Sequence, residues 1–273
     1  MMKTNMDKII KKTETDFGMP TLIENSCIEE AAVLCHSLGL RFIELNMNLP
    51  DYQTERIDLS RLKEIADKYG IYYTIHLDEN LKICDFNRKV VKAYTETVLE
   101  TIEIAKQLSA PILNMHFHEG VYFTLPDKKA YLLKQFENQY EEMLKIFRNT
   151  CDAAIGGSKI RICIENTRSF MLDFVEKGIG ILLKSPVFGL TFDTGHNAGS
   201  GFKQFPLIER NIDRLYHMHL HDHSKDKGDH LPLGEGKLDI AEYLALAQNH
   251  NCRVLLETKT VEGVKKSAEW LKK

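Results

Sequence analysis

Residues 214–222 read RLYHMHLHD. Successive side chains of a strand point to opposite faces. Tyr216, Met218 and Leu220 therefore share one face, and His217, His219 and His221 share the other. The segment reads as a strand with an apolar side and an imidazole side. Seven other short apolar runs resemble it: FGMPTL near 17, LRFIELN at 40, IYYTIHL at 71, PILNMHFH at 111, KIRICIEN at 159, VFGLTFD at 187 and CRVLLET at 252. Between them lie stretches with helical spacing: IEEAAVLCHSLG, LSRLKEIADKYG, RKVVKAYTETVLETIEIAKQLS and the long segment from Asp127 to Ile155. Gly39 and Gly70 stand where a left-handed helix cap is expected. Strands alternating with helices predict a parallel sheet with helical crossovers. Eight such units in this length predict an α/β fold of the closed (β/α)8 TIM barrel type, which takes about 250 residues. A doubly wound open sheet is the alternative, and the first strand lacks the Gly-rich phosphate loop it would need. One barrel domain is expected over residues 1–273, with residues 1–15 as an N-terminal extension.

Composition narrows the class. The 273 residues are 43% hydrophobic and 27% charged, with a net charge of -3. That supports one sizeable core and announces neither a nucleic-acid nor a membrane partner. The N-terminal stretch MMKTNMDKIIKKTETDFG has lysines but no apolar centre, so it does not read as a signal peptide. No apolar run approaches the roughly 20 residues that span a bilayer. The six cysteines form no CxxC pair and mostly sit in apolar runs, which predicts free buried thiols and a cytoplasmic setting.

Parity along the strands sorts the polar residues. Ile160, Ile162 and Ile164 oppose Arg161, Cys163 and Glu165; Phe188, Leu190 and Phe192 oppose Gly189, Thr191 and Asp193. Val254 and Leu256 oppose Arg253, Leu255 and Glu257, while His76 and His116 lie opposite the apolar faces of their own strands. Six strands thus place a metal-capable residue on the less apolar, inward face, mostly near the C-terminal end where barrel enzymes keep their chemistry. Unpaired buried carboxylates are costly, and a divalent cation would neutralise Glu165, Asp193 and Glu257 together. With His219 they offer three oxygen donors and one nitrogen, a set suited to manganese or zinc, with cobalt or magnesium as alternatives. Open positions would remain for substrate or water.

The motifs CIEN (Glu165-Asn166), FDTGH (Asp193, His196), HLHD (His219), LGEG (Leu233–Gly236) and LETK (Glu257) occur in this order, each at or after the end of a predicted strand. In this the chain resembles the xylose-isomerase-like (β/α)8 superfamily, from about Phe17 to Trp270. That superfamily holds sugar isomerases and epimerases, and the endonuclease IV type of nuclease (AP endonuclease family 2). The resemblance to the isomerases implies that Glu165, Asp193, His219 and Glu257 bind one divalent metal. It implies that the two glutamates form the acid/base pair and that His196 contacts substrate oxygens. The resemblance to the nucleases implies three zinc ions shared by His76, His116, Glu165, Asp193, His196, His219, His230, Glu257 and one further Asp. The nuclease pattern has that Asp two residues before the match to His230, where this chain has Gly228; Asp226 and Asp229 are out of register. The loop between HLHD and LGEG is shorter than in the nucleases, HLDENLKI departs from their pattern after His76, and Thr191 and Gly195 replace their cysteines. These departures speak against a third metal and against phosphodiester cleavage.

The expected activity is therefore a metal-dependent isomerase or epimerase acting on a sugar or sugar phosphate. Glu165 and Glu257 would remove and return the proton beside a carbonyl while the metal stabilises the enediolate. The alternatives are a nuclease acting at abasic DNA, a lyase or dehydratase on the same metal site, and a sugar-binding barrel without turnover. Among the histidines of residues 217–223, His217 is expected deeper in the barrel, His219 at the level of the carboxylates, and His221 and His223 supporting the site or at the surface. Lys225 is a candidate for a substrate oxygen or phosphate. The loop from Glu119 to Lys129 is a candidate lid, and Glu44 is expected to pair with Arg161 or Arg253.

Overall fold

A computed structural model describes residues 15–273. The extension expected over 1–15 lies, apart from Thr15, outside the described residues. The chain runs β1 (Phe17–Pro20), α1 (Ile28–Ser37), β2 (Phe42–Asn46), α2 (Leu59–Tyr69), β3 (Tyr72–His76), α3 (Arg88–Leu108) and β4 (Ile112–His116). Next come β5 (Tyr122–Thr124), β6 (Lys129–Tyr131), α4 (Leu132–Gln135), α5 (Glu137–Ile155), β7 (Arg161–Glu165), α6 (Asp173–Leu182) and β8 (Phe188–Asp193). The remainder is α7 (Thr194–Gly199), α8 (Phe205–Arg210), β9 (Leu215–Leu220), β10 (Asp222–Ser224), β11 (Gly228–Leu231), α9 (Ile240–Asn249), β12 (Arg253–Leu256) and α10 (Val261–Trp270). Eight parallel strands close into a barrel in the order β1-β12-β9-β8-β7-β4-β3-β2. These are the eight runs expected from the sequence. The pairs β5–β6 and β10–β11 are separate antiparallel hairpins at the mouth.

Local chemistry sets the joints. Asp58 caps α2 by accepting from Arg61 N at 2.9 Å, and Gly70 ends that helix with a left-handed φ of 63°. Apolar side chains on the outward strand faces fill the layer beneath the helices. Ile162, Ile164, Phe188, Leu190, Phe192, Met218, Leu220, Val254 and Leu256 are all fully buried there. Each such side chain contributes about 1.5–3 kcal/mol when removed from water. Among the described residues no helix is long and apolar enough to cross a membrane.

Two expectations are corrected. The helix expected from Asp127 begins only at Leu132, because Lys129–Tyr131 pair with Tyr122–Thr124. The cross-strand Tyr122 and Tyr131 rings lie 5.4 Å apart and favour the hairpin. Tyr216 does not share a face with Met218 and Leu220. The β8–β9 register slips between Leu190 and Thr191, so that Leu215 and His217 find partners and Tyr216 does not. The bulge turns the Tyr216 ring onto Gly189 and beside the Arg161 guanidinium, 5.7 Å away.

Candidate metal centre at the barrel mouth

The register sets heights along the barrel. Asp193 stands opposite His219, and His116 opposite Glu165. Glu257 follows directly after β12, where its N–H donates to Leu220 O at 3.1 Å. Glu165, Asp193, His219 and Glu257 are buried, and each offers a ligand atom within 4.8 Å of the others'. His219 Nδ1 lies 3.1 Å from Glu257 Oε2 and 3.4 Å from Glu165 Oε2. His219 Nδ1 and Glu257 Oε2 make no hydrogen bond among the described residues. Orphaned donor atoms converging in this way fit a divalent cation, which would satisfy them both.

Four further groups of potential ligands occur among the described residues; besides Glu44–His217–His219 and His221–His230–Glu257, two flank this one. His76, His116 and Glu165 form the first; His76 Nε2 and His116 Nε2 approach Glu165 Oε2 at 3.5 and 3.4 Å. His196, Asp229 and His230 form the second. Asp193 ends β8 and caps α7, accepting from His196 N at 2.6 Å, so the strand–helix junction itself puts His196 beside the carboxylates. His196 Nδ1 is 3.2 Å from Glu165 Oε1. Glu165 thus turns one oxygen to His196 and the other to His76, His116 and His219.

The charges are mutually stabilised. Burial by itself would raise the pKa values of Glu165 and Glu257. Neighbouring cationic groups outweigh it and hold both well below the usual carboxylate range, the imidazoles of His219 and His116 for Glu165, and the His219 imidazole with the Lys259 ammonium for Glu257. Burial would lower His196 and His221, but Asp193 and its neighbours lift each to about 10. The carboxylates hold the pocket negative and attract cations, whether protons on imidazoles or a metal.

The family model for xylose isomerase-like TIM barrels matches residues 32–273. This chain belongs to that family. An uncharacterized protein of Methanocaldococcus jannaschii is 25% identical over 228 residues, covering 79% of this chain and 74% of the relative. Among solved structures, a D-tagatose 3-epimerase-like protein superposes with a TM-score of 0.72 at 22% identity, covering 94% of this chain and 96% of its own. The IolI protein, solved with a bound zinc atom, superposes with a TM-score of 0.68 at 16% identity, with 94% of each chain covered. Similarity at this level shows the xylose isomerase-like fold.

The sequence-predicted residues His76, His116, Glu165, Asp193, His196, His219, His230 and Glu257 all come together at the mouth of this xylose isomerase-like barrel. Lys225 does not join them; it is exposed in the turn between β10 and β11. His221 is fully buried rather than at the surface, with Nε2 3.0 Å from Asp193 Oδ2 and its ring stacked on His230 at 4.3 Å. Asp229, out of register by sequence, still reaches the site: its Oδ1 lies 3.1 Å from His221 Nδ1. The room comes from Gly195, where a Cβ would run into Asp229 Oδ1 and the His221 ring. Glu44 pairs with neither Arg161 nor Arg253 but with histidines, His217 Nε2 at 2.9 Å and His219 Nε2 at 3.0 Å.

Several residues escaped the sequence reading. Asn114 Nδ2 donates to Glu165 Oε2 at 2.5 Å. Asn166 brackets Asp193, accepting from its N–H at 2.7 Å and donating to its carbonyl at 3.0 Å. Lys259 Nζ donates to Glu257 Oε1 at 2.7 Å. Asn166 and Lys259 stand inside the motifs CIEN and LETK, and inward parity marks Asn114 as a polar residue on a barrel strand.

Proposed function

We propose that this chain is a divalent-metal-dependent sugar isomerase or epimerase, with Glu165 and Glu257 as the acid/base pair. The carrying observation is the convergence of Glu165, Asp193, His219 and Glu257, with the two glutamates, one from β7 and one from the end of β12, both meeting His219 Nδ1. A divalent ion held by these four would polarise a sugar carbonyl and stabilise negative charge on its oxygen. Glu257 borders a cavity of about 190 Å³ that is also lined by Thr21, Asn46, His76 and Lys259. From that wall Glu257 takes or returns the proton at the carbon next to the carbonyl, and Lys259 steadies its other oxygen. Glu165 serves the opposite face, and His196 meets a substrate oxygen there. The likeness in fold to a D-tagatose 3-epimerase-like protein supports the substrate class. The test is hydrogen–deuterium exchange and interconversion over a panel of ketoses and their phosphates with metal-loaded protein. Glu165→Gln and Glu257→Gln each abolish exchange with a cognate sugar, and full activity in either variant refutes the acid/base assignment.

A second reading, a phosphodiesterase acting at abasic DNA with a three-metal centre, is favoured by the two flanking groups. His196, Asp229 and His230 restore the ligand set that register alone denies, and Glu165 turns both oxygens to histidines, as a carboxylate shared between ions would. Metal analysis separates the readings, with about one equivalent for the isomerase and about three for the nuclease. Incision of an abasic oligonucleotide would decide for the second.

A further inference from the structure

Glu44 is 1% exposed in the barrel interior, and neither arginine of the inward face neutralises it. It sits on β2, and its nearest polar partners lie on β3 and, across the lumen, on β9. Thr74 Oγ1 donates to its Oε2 at 2.8 Å, and His217 Nε2 meets the same oxygen at 2.9 Å. Its other oxygen, Oε1, faces His219 Nε2 at 3.0 Å. β2 and β9 are separated in the barrel by β1 and β12, so this contact passes through the interior rather than along the sheet. A buried carboxylate whose partners are a hydroxyl and two imidazoles, with no arginine or lysine beside it, is expensive to keep. A hydrophobic residue at this position would fill a barrel layer at less cost.

What the carboxylate does is visible at His219. That ring has its two nitrogens in opposite settings. Nε2 approaches Glu44 Oε1 at 3.0 Å, close but outside hydrogen-bond geometry among the described residues; Nδ1 faces Glu165 and Glu257, 3.4 and 3.1 Å away. An imidazole offers a lone pair at one nitrogen when its proton sits on the other. A carboxylate at Nε2 selects the tautomer with the proton there and leaves the Nδ1 lone pair aimed at the carboxylate cluster. It also restrains the ring's rotation and raises the basicity of the nitrogen that binds.

We propose that Glu44 is the positioning residue for His219, with Thr74 and His217 bracing its carboxylate so that Nδ1 is presented to the metal. The role rests on the reading that Glu165, Asp193, His219 and Glu257 hold a divalent ion. It also accounts for the alternation of histidines in RLYHMHLHD: His219 is the ligand, and His217, two residues earlier on the same face, anchors the group that orients it.

The test measures metal affinity and ligand geometry rather than turnover. Zn²⁺ affinity, by competition with a chelating dye, and the Co²⁺ visible spectrum are compared for the wild-type chain, Glu44→Gln, Glu44→Leu and Thr74→Val. Loss of Glu44 weakens binding by roughly 10–100-fold and changes the Co²⁺ spectrum, with Thr74→Val in the same direction and smaller. Unchanged affinity and spectrum in folded Glu44 variants, whatever their melting temperature, would overturn the proposal. The wild-type protein supplies an independent readout. In ¹⁵N-histidine spectra of the Zn²⁺-loaded chain, His219 carries its proton on Nε2 and its metal shift on Nδ1. The reverse assignment sinks the proposal even if no Glu44 variant folds. A wild-type chain without metal affinity removes the metal-site reading itself, a result distinct from a metal site indifferent to Glu44.

Discussion

His219 Nδ1 and Glu257 Oε2 face each other at 3.1 Å in the buried floor of the mouth, and neither makes a hydrogen bond among the described residues. Leaving a buried polar atom unsatisfied costs about 1–3 kcal/mol. Zn²⁺ or Mn²⁺ is therefore expected to raise the melting temperature and a chelator to reverse the shift. A ligand at 100 times its Kd stabilises by about 2.7 kcal/mol. His219→Ala abolishes the metal-induced shift in differential scanning fluorimetry, whereas the exposed Lys225→Ala leaves it unchanged.

Gly195 is the close approach that lets Asp229 reach His221. Gly195→Ala places a methyl group against both and pushes them apart. The expected result is a loss of roughly tenfold or more in affinity for any metal held by His196, Asp229 and His230. Zn²⁺ titration followed by calorimetry reads this directly, and the His219 site retains its affinity.

Asp222 organises the LGEG loop. Its buried carboxylate accepts from His223 N, Gly234 N, Gly236 N and Leu238 N at 2.8, 3.0, 2.9 and 3.0 Å. Asp222→Ala leaves these amides without their acceptor and costs about 3 kcal/mol. In a chain of this size that lowers Tm by on the order of 5–10 °C. Asp222→Asn is nearly as damaging, since its NH2 faces amides that can only donate. Thermal unfolding of the metal-free proteins checks both.

The thiols give a pH prediction. Burial pushes Cys35 and Cys252 up from 9.0 to about 12, and Cys84, Cys151 and Cys163 rise further for the same reason. A three-unit rise makes the thiolate about a thousandfold rarer. At pH 8 a thiol reagent therefore modifies exposed Cys27 quickly and the other five only on unfolding. The sign of the linkage follows. These groups bind protons more tightly when folded, so their stabilisation is complete below about pH 9 and is lost as pH rises towards 12. Melting temperatures across pH 8–11 should fall from about pH 9 upward.

Most of the architecture was legible because it rests on local alternation. A strand of a closed barrel buries one face against helices and the other in the lumen, so period-two patterning marks both its existence and its inward residues. That is why the parity of KIRICIEN, VFGLTFD and RLYHMHLHD led to Glu165, Asp193 and His219. Tyr216 failed the same rule because a bulge, set by pairing with β8, resets parity within a strand.

The sequence by itself determined the eight barrel strands, their inward faces apart from Tyr216 at the β9 bulge, and the ligand-capable residues at their ends, since each depends on periodicity that neighbouring residues carry. Only the tertiary structure decided which of those residues meet. Asp229 comes from a hairpin whose reach depends on an absent side chain at Gly195, a contact across 34 residues with no trace in spacing. Glu44 finds His217 and His219 through the barrel lumen, where the closure of the sheet and not chain proximity makes neighbours of β2 and β9. Local pattern specifies which face a side chain occupies, and the partner it finds there follows from the global packing.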